Sequence, residues 1–215
     1  MEQKLKLLSN NERQRILRFR KWEDRQRSLL ANIAVRRRLE ILLQEPINPS
    51  SIERDQKGRP FLKNFRNWQG DFNLSHSGEW IISGITTNGK IGVDVEQIQS
   101  IDLSVSELCF TQEEKAYLYS LPTKDQLSFF YEIWTLKEAF VKTIGQGLLF
   151  PINSVGFDMN KWTQNKITMS NTTLSFHHFL FQLYRLEPNY IVAVCTNLKH
   201  VSDLEIQILD RSDIL

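Results

Sequence analysis

KIGVDVE, residues 90–96, decides how the chain is put together. Its β-branched residues alternate with Gly92, Asp94 and Glu96, which is the period-two pattern of a strand. It closes a run of β texture that starts at Ser51: KGRP at 57–60, FNLSHS at 72–77, WIISGITT at 80–87, then Asn88-Gly89, whose turn chemistry predicts a hairpin over Thr86–Lys90. Upstream the texture is helical. NERQRILRFR (11–20) and DRQRSLLANIAVRRRLEILLQ (24–44) read as two helices. The second presents Leu30, Ile33, Ala34, Ile41 and Leu42 at three-to-four spacing, with Asp24 as N-cap and Pro46 and Pro49 beyond its end. Downstream, helical texture returns at Thr111 and runs through Asp125–Ile144, closed by Gly145 and Gly147 with Pro151 following. LSFHHFLFQLYRL (174–186) and YIVAVCT (190–196) read as buried strands. Two successive helix-plus-sheet groups joined near Gly92 make an α+β chain, divided here as 1–91, 92–198 and a tail, 199–215.

Composition narrows the function classes. With 215 residues, 41% hydrophobic and 24% charged, the chain can bury a full core and is too apolar to stay disordered. The start, MEQKLKLLSNNERQR, has no apolar stretch behind its charges, and no later apolar run approaches the ~20 residues of a membrane span. The expectation is a cytoplasmic protein, neither secreted nor membrane-bound. Cys109 and Cys195 stand far apart without partners at metal-ligand spacing, which argues against a disulfide framework and a structural zinc site. The net charge of +2 hides an asymmetry: residues 1–40 hold 12 Lys and Arg against 5 Asp and Glu, leaving 15 against 20 for the remainder. A basic patch of this kind attracts phosphates of a nucleic acid, a membrane surface or a small molecule alike, and solvated helix faces explain it equally well.

Asp94 and Glu96 share one strand face, roughly 6–7 Å apart at Cα. Like charges so placed raise each other's pKa unless a cation neutralises them, and a hard ion such as Mg²⁺ takes one or two carboxylates with water and phosphate oxygens. The plain alternative is a solvated strand face. In WTLKEAFVK (134–142), Glu138 and Lys142 are four apart on one helix face, the spacing of an ordinary surface pair. The apolar Trp134, Ala139, Phe140 and Val141 around them argue for more than that, for example a carboxylate on a metal beside a lysine on a phosphate. Ser75 and His76, adjacent on a strand, face opposite ways, so His76 cannot serve Ser75 as base; a polar strand end on a phosphate fits better. Lys57-Gly58-Arg59-Pro60 reads either as a phosphate-facing turn or as a turn alone. His177 and His178 read as structural. Thr111 and Glu114 match a capping box.

Taken together, GRPFL (58–62), FNLSHSG (72–78), GVDVE (92–96), FTQEE (110–114) and WTLKEAFVKTIGQGL (134–148) resemble, in order and spacing, the Sfp-type 4′-phosphopantetheinyl transferases, over about Arg15–Cys195. The resemblance implies a pseudo-dimer of two similar helix-plus-sheet subdomains with coenzyme A in the cleft between them. It implies transfer of the phosphopantetheine arm to a serine of an apo acyl or peptidyl carrier protein, releasing adenosine 3′,5′-bisphosphate. By motif, Asp94, Glu96 and Glu138 would ligate Mg²⁺, Glu114 would be the base, and Lys142 would bind phosphate and steady the leaving group. Lys57, Gly58, Arg59, Pro60, Ser75 and His76 would contact the nucleotide end, helped by Arg15 and Ser28. Two departures stand out: Glu12 where relatives often carry a basic residue, with Arg13 or Arg15 as substitutes, and Arg59 where many carry Lys. Ile98–Leu108 is the expected carrier-facing segment, for fatty-acid, polyketide or peptide-synthetase carriers. A chain already holding two halves is expected to be a monomer, bound to neither membrane nor nucleic acid. The competing readings are a nucleic-acid-binding module on helices 11–44, and a former enzyme that only binds coenzyme A.

Overall fold

The computed structural model describes residues 2–65, 68–164, 166–170, 178–198 and 207–208, apart from the side chain of Leu148. In chain order the elements are α1 (Glu2–Leu5), α2 (Asn10–Leu17), α3 (Trp22–Leu43), β1 (Ile52–Arg54), β2 (Pro60–Leu62), β3 (Asp71–Ser77), β4 (Trp80–Thr86), β5 (Ile91–Gln97), α4 (Ser106–Cys109), α5 (Gln112–Ser120), α6 (Thr123–Ile144), α7 (Met159–Trp162), β6 (Leu180–Leu186) and β7 (Tyr190–Thr196). The fold is α+β.

Among the described residues, three antiparallel sheets form: β1–β2, β3–β4, and β5–β7–β6 with β7 in the centre. Helix α3 lies against β3–β4, and α6 covers β5 and β7. The larger core joins α6 (Phe129, Ile133, Leu136, Phe140) to Phe157, Phe181, Ile191 and Ala193; a second joins Val35 and Leu39 of α3 to Ile52, Leu62 and Phe72.

The expected hairpin over Thr86–Lys90 does not form. Strand β4 pairs back onto β3 through a two-residue turn at Gly78-Glu79, whereas β5 pairs with β7, a hundred residues later. Asn88-Gly89 instead carries the chain from one sheet to the next. The tight turn is Gly78, at φ +52, a left-handed conformation that glycine adopts without a Cβ penalty. A Cβ there would also meet the Tyr190 hydroxyl at 2.1 Å.

Two expectations for α3 are likewise corrected. Its N-cap is Lys21, without a side-chain cap, and Asp24 lies in the first turn, paired with Arg27 at 2.6 Å. Ile33 is buried, but Ile41 and Leu42 face solvent, because the buried stripe runs through Leu29, Ile33, Arg36 and Leu39. Arg36 tolerates that place because Glu12 meets it at 2.6 Å. Helix α6 keeps its expected end, with Gly145 as a left-handed C-cap. His177 and the tail lie outside the described residues, Gln207 and Ile208 excepted; His178 is exposed and stacks on Phe179.

Strands β3 and β5 meet edge to edge without a backbone ladder. Every second residue of β3 reaches across with its side chain. Asp71 Oδ2 accepts from Ile91 N (3.1 Å), Asn73 Oδ1 from Val93 N (3.1 Å) and Ser77 Oγ from Gln97 N (3.1 Å). These three polar residues of DFNLSHS satisfy strand amides that would otherwise go unpaired at the junction.

Candidate active site

Gly92, Asp94 and Glu96 share the face of β5 that looks at α6, and each meets a different level of that helix. At Gly92 the helix comes closest: a Cβ would stand 2.1 Å from Ala139 O and 2.4 Å from Thr143 Oγ1. At Asp94 it brings Lys142, whose Nζ donates to Asp94 Oδ1 at 2.7 Å and to Val93 O at 3.2 Å. At Glu96 it brings Trp134, whose Nε1 donates to Glu96 Oε1 at 3.3 Å. Trp134, Glu138 and Lys142 are four residues apart, one stripe along the helix. Strand β3 completes the cluster. Ser75 Oγ donates to Asp94 Oδ1 (2.8 Å) and accepts from Lys142 Nζ (3.0 Å), and Ser77 Oγ donates to Glu96 Oε2 (3.3 Å).

The electrostatics follow from this crowding. The Glu96 carboxyl is pushed up to about 7, by burial first and then by Asp94. Glu138 is raised by burial first and then by Asp94, with Lys142 opposing. His76 is lowered by burial first, then by the Arg27 guanidinium. Asp94 Oδ2 is buried without a hydrogen-bond partner, and the Glu138 carboxylate makes no hydrogen bond among the described residues. Among the described residues no three Asp, Glu, His or Cys side chains are already gathered around one point where an ion would sit. Lys142 occupies the cation position at Asp94. Carboxylate oxygens, one of them buried and unpaired, are nonetheless the donor chemistry that suits Mg²⁺.

The other expected site residues make contacts of their own within the protein. Glu114 is fully buried, as is its partner Lys137 at 2.6 Å. Its Oε2 also caps Thr111 N (2.8 Å), and Oε1 accepts from Phe157 N (3.0 Å). The capping box forms, and both carboxylate oxygens of Glu114 are engaged within the protein. Lys137 donates to Cys109 O (2.8 Å) and lies over the Phe110 ring. The sequence carried a signal for this pair, since Lys137 falls on the apolar stripe with Ile133 and Phe140. Pro60 is buried in β2. Gly58, at φ +85, gives its carbonyl to Arg54, and Arg15 Nη1 lies 3.6 Å from where its Cβ would be. Lys57 donates to Gln146 (2.5 Å). Ser28 is half-buried on α3, its carbonyl capped by Asn32. Glu12 is no surface contact: it closes the Ser9 capping box and pairs with Arg36. Arg13 is occupied by the carbonyls of Leu8 and Lys6. Arg59 donates to Lys142 O, Asp71 Oδ2 and Ile91 O, all within the protein. Arg27, which no motif singles out, donates to Gly78 O at 2.8 Å and lies close enough to His76 to lower its pKa.

The family model described as 4′-phosphopantetheinyl transferase superfamily matches residues 90–195, and that described as 4′-phosphopantetheinyl transferase, N-terminal, matches residues 1–87. The 4′-phosphopantetheinyl transferase gsp of Aneurinibacillus migulanus is 32% identical over 203 residues, 93% of this chain and 83% of that protein. The chain belongs to the 4′-phosphopantetheinyl transferase family. A second member, psf-1 of Bacillus pumilus, is 29% identical over 215 residues, covering 100% of this chain and 89% of its own. Among solved structures, the holo-[acyl-carrier-protein] synthase of Thermotoga maritima aligns with 50% of this chain and 61% of its own at 21% identity, with a TM-score of 0.41. Membership makes this chain a phosphopantetheinyl transferase, and among its described residues no helix is long and apolar enough to cross a membrane.

Proposed function

We propose that the cleft bounded by β3, β5 and α6 is where this transferase moves the 4′-phosphopantetheine arm of coenzyme A to a serine of an apo acyl or peptidyl carrier protein, releasing adenosine 3′,5′-bisphosphate. The observation that carries the assignment is the meeting of Ser75, Asp94 and Lys142 within 3.0 Å of one another, with Glu96 and Glu138 beside them.

Displacement at a phosphorus needs the pyrophosphate charge cancelled and the attacking hydroxyl aligned, so positioning and electrostatics supply most of the rate. Lys142 reaches into the cleft as a donor for the phosphates and for the leaving group. Ser75 and His76 orient the nucleotide end, with Arg27 adding positive charge behind His76 and Arg15 at the Gly58 turn. Asp94, Glu96 and Glu138 would hold Mg²⁺, which when bound supplies Lewis-acid charge against the pyrophosphate. The serine proton passes to a carboxylate of this cluster, directly or through water, because Glu114 is enclosed by Lys137, Thr111 and Phe157. Residues 1–91 and 92–198 form the two similar halves of a pseudo-dimer with coenzyme A between them, and the enzyme works as a cytoplasmic monomer.

Incubation with an apo carrier, coenzyme A and Mg²⁺ should add the mass of the arm to the carrier, and Asp94→Ala should weaken Mg²⁺-dependent binding of coenzyme A in calorimetry. Carriers of the fatty-acid, polyketide and peptide-synthetase kinds all left unmodified would defeat the transfer. Unchanged Mg²⁺ dependence in Asp94→Ala would defeat the metal assignment.

A further inference from the structure

Arg59 stands apart from the other cations of the cleft because its guanidinium is committed to the protein. It follows Gly58 in the β1–β2 turn, where its amide donates to Asp55 Oδ1 at 2.9 Å, and its side chain is only 12% exposed. Nη1 donates to Lys142 O; Nη2 donates to Asp71 Oδ2 and, at 2.8 Å, to Ile91 O. Asp71 Oδ2 also accepts from Ile91 N at 3.1 Å. Both polar backbone groups of Ile91 are therefore gripped, one by Asp71 and the other by Arg59.

The three acceptors belong to the three elements that build the cleft. Asp71 opens β3, four residues before Ser75; Ile91 opens β5, three before Asp94; Lys142 O is in the last turn of α6. The carbonyl that Arg59 holds belongs to the residue whose Nζ bridges Asp94 and Ser75. Only a planar fork with several donors bridges acceptors so arranged; an ammonium at the same place reaches fewer of them.

We propose that Arg59, anchored by Asp71, is a positioning residue that sets where Lys142 stands against Asp94 and Ser75, and that its influence on the nucleotide passes through Lys142 and not through a contact of its own. This rests on the transferase reading for one of its two measurements. The other, affinity for coenzyme A, needs no turnover.

The test uses the full chain with Arg59→Ala, Arg59→Lys, Asp71→Asn and Lys142→Ala, alone and combined, read by coenzyme A calorimetry and by carrier modification, well below each variant's unfolding temperature. Arg59→Ala and Asp71→Asn should each cost about tenfold or more, as expected for a small displacement of a catalytic group. Together they should cost no more than either alone, and both effects should vanish in the Lys142→Ala background. Arg59→Lys should resemble Arg59→Ala. Three results would overturn the proposal: Arg59→Lys retaining wild-type affinity while Asp71→Asn has no effect, which marks a direct phosphate contact; losses that add between Arg59 and Asp71; or losses that persist at full size without Lys142, which marks general structural damage. A wild-type protein that binds coenzyme A yet modifies no carrier would remove the transferase reading and leave the affinity cycles legible. Asp71→Asn preserves shape and an acceptor for Ile91 N, so the comparison survives if Arg59→Ala folds poorly.

Discussion

Replacing Gly92 by alanine tests whether the close approach of β5 and α6 builds the proposed site. The added methyl would stand 2.1 Å from Ala139 O, 2.4 Å from Thr143 Oγ1 and 2.6 Å from Thr143 N. Two of these three atoms are backbone, so no rotamer change relieves them. Thr143 Oγ1 is itself engaged, donating to Ala139 O at 2.7 Å and Cys195 O at 3.1 Å. Opening the shortest contact to the 3.4 Å at which ordinary contact begins moves the helix outward by ~1.3 Å. Overpacking of this kind costs about 1–3 kcal/mol. Glu138 and Lys142 ride on the same helix, so they retreat from Asp94 and Ser75, and a shift near 1 Å at a catalytic group costs ~10²-fold in rate. Urea unfolding would read the stability loss, and steady-state carrier modification in folded protein would read the rate. A Gly92→Ala protein as stable as the wild type and within about twofold of its turnover would refute the reasoning, because it would mean that the β5–α6 spacing does not set the proposed site.

Breaking the buried pair by Glu114→Gln or Lys137→Met should lower stability by about 3–5 kcal/mol, measured by denaturant midpoint, since each leaves a buried charge uncompensated. A Glu114→Gln protein with a wild-type midpoint but ~10²-fold lower turnover would restore Glu114 as base. Asn73→Ala leaves Val93 N without its acceptor and should cost about 1–3 kcal/mol in the same assay; a loss under about 0.5 kcal/mol would mean the β3–β5 contacts contribute little. Burial and Asp94 raise Glu96 from 4.5 to about 7, so between those pH values the folded state binds more protons than the unfolded one. Metal-free stability should therefore fall as pH rises from 4.5 to about 7 and level off above, by roughly 1–2 kcal/mol after allowance for partial exposure. Glu96→Gln should reduce that slope in thermal melts, leaving the share that the raised Glu138 contributes, and an unchanged slope would assign it to another group.

What the sequence disclosed follows the range of the forces involved. Period two put Asp94 and Glu96 on one face, and spacing four put Glu138 and Lys142 on another, because both patterns are local. The end of α6 at Gly145 and the cap of α5 at Thr111 were legible for the same reason. Asn88-Gly89 misled because a turn signal names no partner: β5 found β7, a long-range choice no dipeptide encodes. Ile41 and Leu42 misled because nothing local says which side of an amphipathic helix will be covered. Arg59 and Asp71 were out of reach for the same cause, since their meaning lies in elements that only the folded chain brings together. Glu114 shows the reverse: its local role, read directly from Thr111-x-x-Glu114, is present in the folded chain, and burial beside Lys137, which no dipeptide encodes, is what sets it apart from the open carboxylates.

The join between β3 and β5 is stitched by the side chains of Asp71, Asn73 and Ser77. Two strands married through their main chains have a spacing fixed by peptide geometry, whatever residues they carry. Here the width of the junction belongs to the genetic code: one altered codon lengthens, shortens or removes a single tether while the sheets on either side stay intact. A lineage can thus retune the gap between the layers by point mutation, without redesigning either of them.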